Sequence, residues 1–584
     1  MGKKQPRLCQ LTTPFEAHSA DAWEKACPRP QLRRTSWQSL CGRWRLAALR
    51  GTEREELGEI QVPFPPESRI SGIFRQLAAG ERYRYERTFR LAEPIRGRRV
   101  LLHFGAVDQV ARVFLNGQAV GAHTGGYLPF TLDVTAAVTE GENVLAVEAE
   151  DPLDTELPYG KQRRRRGGMW YTPISGIWQP VWLERVPEDY VRALRLTPGR
   201  DQVTVETEGG GAEKCLTLRL PEGERQYRYT GDTAVIRLED PVLWTPEHPH
   251  LYDFTLRAGE DVIESYFALR TVTIEARGGG SYICLNGEPL FLHGLLDQGY
   301  YSDGIYLPGS PEGYRWDILT MKRLGFNLLR KHIKIEPDIF YYYCDVYGML
   351  VWQDMVNAGP YSFLVDTALP TLGIKRGVAH RPSPRRREHF EASARATVAL
   401  LYNHPCVCGY TIFNEGWGQY EGGRLYRELK ALDPGRIWDT ASGWFAGEAS
   451  DVTSEHIYFR ALRLQARPDK PLVLSEFGGY SCKIPGHAFN LDNNYGYRSF
   501  PDLPSFRAGL ERLYREEVMA AIDAGLCAAV LTQVSDVEDE TNGLVTYDRQ
   551  VVKVEESPMA ALAADLHSAF ARRLEEERRG PSDG

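Results

Sequence analysis

Beyond Asn286-Gly287 the chain repeats one unit, a short apolar strand, a loop and an amphipathic helix, and this rhythm constrains the fold more than any other feature. The candidate strands are FLHGLL from Phe291, NLLRKHI from Asn327, MLVWQDM from Met349, CGYTIFNE from Cys408, IWDTASG from Ile437, SEHIYF from Ser454, PLVLSEFG from Pro471 and CAAVLTQ from Cys527. Near-continuous apolar runs of this length suit parallel strands buried on both faces. Helical periodicity falls between them at 312–324, 336–347, 387–402, 424–431 and 506–524, with a last helix at 558–577. Eight strands alternating with helices predict a (β/α)8 TIM barrel over residues 275–573, with one or two degenerate helices, above all between the fifth and sixth strands.

Upstream the rhythm is different. Short alternating strands at 82–91, 100–104, 111–115, 143–149 and 181–185, broken by Gly, Asn and Pro, predict a jelly-roll β-sandwich over residues 1–186. Asn116-Gly117 after ARVFL is a hairpin signal, because both residues tolerate positive φ. Residues 187–274, with runs such as LTLRL from Leu216 and YDFTLR from Tyr252, have the size and pattern of an immunoglobulin-like β-sandwich. The chain thus reads as multidomain β plus α/β, ending in a frayed tail at 574–584, LEEERRGPSDG.

Composition narrows the function classes. Seventy Lys and Arg stand against 78 Asp and Glu in 584 residues, a formal charge of −8, which gives no electrostatic footprint for nucleic acid or an anionic membrane. The basic N-terminus is followed by no apolar h-region, and no stretch reaches bilayer-spanning length. Ten scattered cysteines lack metal-ligand spacing, and Cys406-x-Cys408 sits within an apolar run. Reduced core thiols in a cytoplasmic protein are therefore expected.

In a (β/α)8 barrel the C-terminal strand ends face the site, so the polar residues that end each apolar run are the informative ones. They are His293, Arg330 with His332, Gln353 with Asp354, Asn414 with Glu415, Ser442 with Trp444, His456 with Tyr458, Glu476, and Gln533. Glu415 and Glu476 end the fourth and seventh strands. Two facing carboxylates are what glycosidic cleavage requires: one protonates a poor alkoxide leaving group while the other attacks or stabilises the oxocarbenium-like centre. Arg330 and Tyr458 are expected to hold Glu476 ionised. Glu415, with no cation named beside it, is then the general acid. Asn414 is expected to grip a sugar 2-hydroxyl and Asp354 another hydroxyl, with Trp352, Trp417 and Trp444 facing the C–H side of the ring. His332, His456 and Gln533 complete the candidate substrate contacts.

Several strings resemble glycoside hydrolase family 2, and the match covers most of the chain. NGQAVGAHTGGYLPFTLDVT from Asn116 and GGMWYTPISGIWQPVWLE from Gly167 resemble its sugar-binding jelly roll; NGEPLFLHG, MKRLGFNLLRKHIKIEPDIFYYYCDVYGMLVWQDM, FNEGWGQ and SEFGGY resemble its catalytic barrel. The resemblance implies a retaining enzyme with Glu415 of Asn-Glu as acid/base and Glu476 of Ser-Glu-Phe-Gly as nucleophile. Two marks differ. The Asn-x-Lys pair associated with carboxylate recognition in the β-glucuronidases is absent after Glu476, Lys483 being the nearest cationic substitute. The Glu-x-His magnesium pattern of large β-galactosidases is replaced by VWQDM, which is more like β-mannosidase-type members.

The leading expectation is exo-acting hydrolysis of a terminal β-linked sugar by double displacement, with a β-galactoside first. β-Glucuronide, β-mannoside and arabinoside hydrolysis are the alternatives within the family. Transglycosylation shares the same covalent intermediate. A catalytically silent carbohydrate-binding protein is the reading from another class, and the joint presence of Glu415, Glu476, Arg330 and Tyr458 opposes it. The basic run Arg163 to Arg166 reads as a solvated loop. Asp536, Glu538, Asp539 and Glu540 read as an acidic solvent loop rather than a cation site. No cofactor and no metal are expected; the partner is a carbohydrate or glycoconjugate, and homo-oligomerisation stays open.

Overall fold

Alternating burial drives the first 270 residues into two sandwiches. A computed structural model describes residues 6–16, 19–371, 374, 381–445, 447 and 449–579. In the first sandwich an antiparallel six-stranded sheet runs in the order Glu53–Val62, Gly42–Arg50, Arg82–Arg90, Glu142–Glu150, Val110–Leu115, Gln118–Thr124. Facing it is a four-stranded sheet of Trp37–Ser39, Val181–Val186, Arg99–Phe104 and Phe130–Asp133. Trp44, Tyr83, Tyr85, Phe104, Val113 and Val147 fill the space between, each essentially buried; full burial of such a side chain contributes about 1.5–3 kcal/mol. The hairpin at Asn116-Gly117 forms with φ of 51° and 81°. The second sandwich pairs a three-stranded sheet (Val191–Pro198, Gln202–Gly209, Thr233–Arg237) with a four-stranded one (Gly223–Thr230, Glu213–Leu220, Tyr252–Ala258, Asp261–Phe267).

The barrel strands, labelled here in chain order, are β1 (Leu292–Asp297), β2 (Leu328–Lys331), β3 (Leu350–Asp354), β4 (Val407–Asn414), β5 (Ile437–Ser442), β6 (Thr453–Ile457), β7 (Leu472–Gly478) and β8 (Leu526–Thr532). They form one parallel sheet, β5-β4-β3-β2-β1-β8-β7-β6, and among the described residues β5 and β6 are the one neighbouring pair without a ladder. No helix joins those two strands among the described residues, where the sequence reading placed its degenerate helix. The hairpin Val272–Arg277 with Gly280–Leu285 leads into β1 and runs across residue 275, where that reading divides sandwich from barrel. The last helix, Glu556–Arg579, corrects the expected tail: it continues through Leu574, and Tyr282 donates a 2.6 Å hydrogen bond to Glu577. Residues 580–584 of that tail lie outside the described residues.

The first sandwich is not an appendage. Its loop over 151–175 packs into the barrel core through Tyr159, Trp170, Tyr171 and Ile174. Tyr159 donates from its backbone to Asn357 O and from its hydroxyl to Gly359 O. Among the described residues no helix is long and apolar enough to cross a membrane. All ten cysteines are free, with Cys406 and Cys408 buried at the base of β4.

Beneath that strand, His404 lies between Asp345 Oδ2 at 2.6 Å and Asp338 Oδ1 at 2.8 Å. Burial alone would lower its pKa, but the two carboxylates outweigh that and raise it to about 10. The imidazolium therefore ties the helix Asp338–Tyr347 to β4, leaving no lone pair for a metal. Because the folded value exceeds the free value of 6.5, the stabilisation is whole below about pH 6.5 and is lost as pH rises through about 10. His404→Gln is expected to cost about 3–5 kcal/mol near pH 6, the penalty for stranding a buried ion-pair partner. Urea unfolding at pH 6 and pH 10 checks this; the gap between wild type and variant should narrow at the higher pH.

Candidate active site

Arg330, the third residue of β2, organises the mouth of the barrel. It is 1% exposed and spends every donor: Nε on Asp354 Oδ1 (3.0 Å), Nη1 on Glu476 Oε1 (2.9 Å) and Ser475 O (3.0 Å), Nη2 on Asn414 Oδ1 (2.9 Å) and Ser442 Oγ (2.7 Å). One guanidinium thus fixes the ends of β3, β4, β5 and β7. A planar fork of five N–H groups can do this and a lysine cannot.

Glu476 on β7 is the better-held carboxylate. Burial would raise its pKa, but His456, Arg330 and His332 and the hydroxyl of Tyr458, which donates to Oε2, together hold it well below the usual carboxylate range. Tyr458 is fixed in turn by Thr532 at 3.0 Å and by its stack on Tyr497, ring centroids 3.7 Å apart.

Glu415 follows β4 with φ of 53°, a left-handed conformation costing a non-glycine residue roughly 1–2 kcal/mol. Gly416 at φ 71° continues the reversal, so the side chain is aimed over the mouth. Glu415 has a buried imidazole beside it. His456 Nδ1 lies 3.0 Å from Glu415 Oε1, while His456 Nε2 lies 3.3 Å from Arg330 Nη1 and 3.6 Å from Glu476 Oε1. The imidazole therefore bridges the two carboxylates. Glu415 is otherwise held by Thr367 Oγ1 at 3.3 Å, and among the described residues no Arg or Lys pairs with it. Oxygens of Glu415 and Glu476 come within 4.8 Å of each other. With Arg330 already against Glu476, a metal ion between the carboxylates would add charge beside a guanidinium.

Other expectations change with burial. Asp354 accepts from Arg330 and, on Oδ2, from His332 Nδ1 at 2.7 Å; it is buried beneath the site and does not line the cavity between the carboxylates. His332 keeps its Nε2 buried without a partner; burial first, then the charge of Lys161, lower its pKa to about 4, leaving that nitrogen an acceptor. Asn414 and Trp444 sit at the mouth, the indole fixed by the carbonyls of Glu415 (3.0 Å) and Asp366 (3.2 Å). Trp352, bonded to Thr411, and Trp417, bonded to Gly359 O and packed on Trp170, are core. Gln533 is fully buried, its Nε2 on Glu540 and Asn542. His293 lies low in β1, against Tyr514 and Gly325 O.

The cavity between the carboxylates has a wall that sequence reasoning missed: Lys161 from the first sandwich, Gln298 after β1, and Glu540 and Asn542 after β8. The Lys161 ammonium has no hydrogen bond or ion pair among the described residues, while its backbone carbonyl accepts from Tyr171 N at 3.0 Å. The run 536–540 is not a solvent loop but buried. Asp536 meets Lys553 at 2.6 Å, Glu538 meets Arg166 at 3.3 Å and the backbone of Thr172, and Asp539 accepts from Asn490. Glu540 is raised to about 7, by burial set against Lys161, Tyr171 and Gln533. Its position after β8 was the available signal. Arg166, from the basic run, is thereby partly withdrawn from solvent, and Arg163 covers the Trp170 ring at 4.0 Å. Lys483 is turned to Asn493 O, at 3.1 Å, and does not line the cavity.

A (β/α)8 barrel carrying an ionised carboxylate on β7 and a second, differently held one after β4 defines the two-carboxylate class of barrel sites. Comparison with known proteins narrows the class. Residues 44–192 match the galactose-binding domain-like region of glycosyl hydrolase 2, residues 195–270 glycosyl hydrolases family 2, and residues 280–488 the TIM barrel domain of that family. The chain belongs to glycoside hydrolase family 2. It is 28% identical over 374 residues to a β-galactosidase of Thermoanaerobacter pseudethanolicus, covering 60% of this chain and 46% of that one. Another β-galactosidase, from Aeromonas hydrophila, is 28% identical over 70% of this chain and 41% of its own. The chain therefore spans less than half the length of these two relatives. Among solved structures it is similar to a β-D-glucuronidase of Dictyoglomus thermophilum (TM-score 0.72, 19% identity, 93% and 98% coverage). It is also similar to a β-galacturonidase of Eisenbergiella tayi (TM-score 0.68, 19% identity, 92% and 98% coverage).

Proposed function

We propose that the chain is a retaining exo-glycosidase that removes a terminal β-linked sugar, with Glu476 as nucleophile and Glu415 as acid/base. The observation that carries the reading is the closeness of the two carboxylates, within 4.8 Å, with only Glu476 on the guanidinium. Retaining pairs stand about 5–5.5 Å apart, inverting pairs about 6.5–9.5 Å, the difference being room for a water. Glu476 attacks C1 while the bond from C1 to the aglycone oxygen breaks and that oxygen takes the proton of Glu415. Water then attacks C1, gives its proton to the Glu415 carboxylate and releases Glu476. Arg330 and Tyr458 keep the nucleophile ionised; Asn414 faces the 2-hydroxyl.

A β-galactoside is the first glycone to try, supported by the names of the relatives above. A screen of p-nitrophenyl β-galactoside, β-mannoside, β-glucuronide, β-glucoside and α-arabinosides tests it, with NMR of the first-formed anomer. One clear hit giving the anomer of the substrate is expected; silence on the whole panel, or inversion, overturns the reading.

Lys161 favours a uronide as the second reading, since an unpaired ammonium lining a sugar cavity suits an anionic glycone. On that reading Lys161→Met lowers kcat/KM for the β-glucuronide or β-galacturonide by about 10–100-fold, the worth of one charged hydrogen bond. On the galactoside reading it does not discriminate between acid and neutral sugars.

A further inference from the structure

Beside Glu415 the barrel mouth opens into a second cavity of about 420 Å³. Three of its wall residues also hold Glu415: Thr367 at the carboxylate, His456 at the other oxygen, and Trp444 at the backbone carbonyl. Tyr458 and Tyr497 line both this cavity and the one between the carboxylates, so the two are neighbours that share a wall. The new cavity therefore lies on the proton donor's side of the site.

Its surface is aromatic. Tyr497 stacks on Tyr458 with planes 9° apart, and Phe459 stands edge-on to Tyr497 at 5.0 Å. On the rim Phe363 and Phe459 are 61% and 68% exposed, and Leu364 follows Phe363 at 61%. Phe74 is the third exposed phenylalanine among the described residues, so two of three border this cavity. Clustered exposed apolar groups mark a binding surface, whereas scattered ones do not. Polar groups on the described wall include those of Glu455, Arg460, Thr367, Tyr495 and Tyr497, while Phe363, Ala368, Pro370, Ile457 and Phe459 give it an apolar outer side that suits a flat apolar ring better than a second sugar.

We infer that this cavity is the aglycone subsite and that it takes a flat aromatic alcohol, a phenol or a fused-ring analogue, rather than a second sugar. The inference rests on the roles proposed for Glu415 and Glu476, because the leaving group departs on the side where the acid stands.

The test compares phenyl and 2-naphthyl β-glycosides of the glycone that is turned over; these differ little in leaving-group acidity and strongly in aromatic area. The 2-naphthyl glycoside is expected to have a kcat/KM higher by about tenfold, the scale of a good aromatic contact. That ratio should fall towards one in Phe363→Ala/Phe459→Ala, whose side chains stand mostly in solvent and carry little of the fold. Equal kcat/KM for the two glycosides in the wild type, or a ratio untouched by the double substitution, overturns the inference. Titration calorimetry with free 2-naphthol needs no turnover and separates the two claims. Absence of saturable binding to a protein that hydrolyses glycosides sinks the aromatic subsite alone. Binding weakened about tenfold by the double substitution, in a protein that hydrolyses none, sinks the aglycone role together with the catalytic assignment and leaves only an aromatic-binding cavity.

Discussion

Glu476→Gln is expected to lower turnover of activated aryl glycosides by about four orders of magnitude or more while leaving the protein folded, since removal of a nucleophile leaves only the residual effects of binding and charge. The substitution is nearly isosteric. Its amide oxygen can still accept from Arg330 Nη1, and the guanidinium keeps Asp354, Asn414, Ser442 and Ser475 as partners. What disappears is the anion that attacks C1. Kinetics with a p-nitrophenyl glycoside, beside a thermal melt, separate the two effects. Wild-type-like turnover from a folded variant sinks the assignment. With Glu476→Ala and added azide, the small anion enters from the face the carboxylate occupied, so an inverted glycosyl azide is the expected product.

Much of this was legible because two periodicities carry it. Fully buried parallel strands read as apolar runs, so β1 to β8 stood out, and the residues ending those runs led to Glu415, Glu476, Arg330 and Tyr458. Period-two alternation likewise marked both sandwiches. Roles that depend on what lies behind a side chain were not legible. Asp354 and His456 end their strands as Asn414 does, yet one lies under Arg330 and the other between two carboxylates. The wall of the cavity was hidden for a second reason. Lys161 precedes β1 by more than a hundred residues and reaches the site only because the 151–175 loop of the first sandwich packs on the barrel. Glu540 stood in view within an acidic run, but composition favours solvent for such a run, and the partners Lys553, Arg166 and Gln533 come from three separate segments.

Glu415→Ala is expected to act according to the leaving group, which is what distinguishes an acid from a structural carboxylate. For a dinitrophenyl glycoside the departing oxygen needs little protonation, so kcat/KM, which reports the first displacement, should stay close to wild type. For an alkyl or sugar leaving group the same constant should fall by about 10²–10⁴-fold, the usual contribution of general acid catalysis. Loss of the general base slows the second displacement for every substrate. The glycosyl-enzyme then accumulates, KM falls for activated substrates, and azide, which needs no base, should restore kcat and yield a glycosyl azide of retained configuration. Equal losses across leaving groups would take the acid role from Glu415. The group it would pass to is His456, 3.0 Å from Glu415 and 3.6 Å from Glu476, the one other titratable side chain that touches both carboxylates among the described residues.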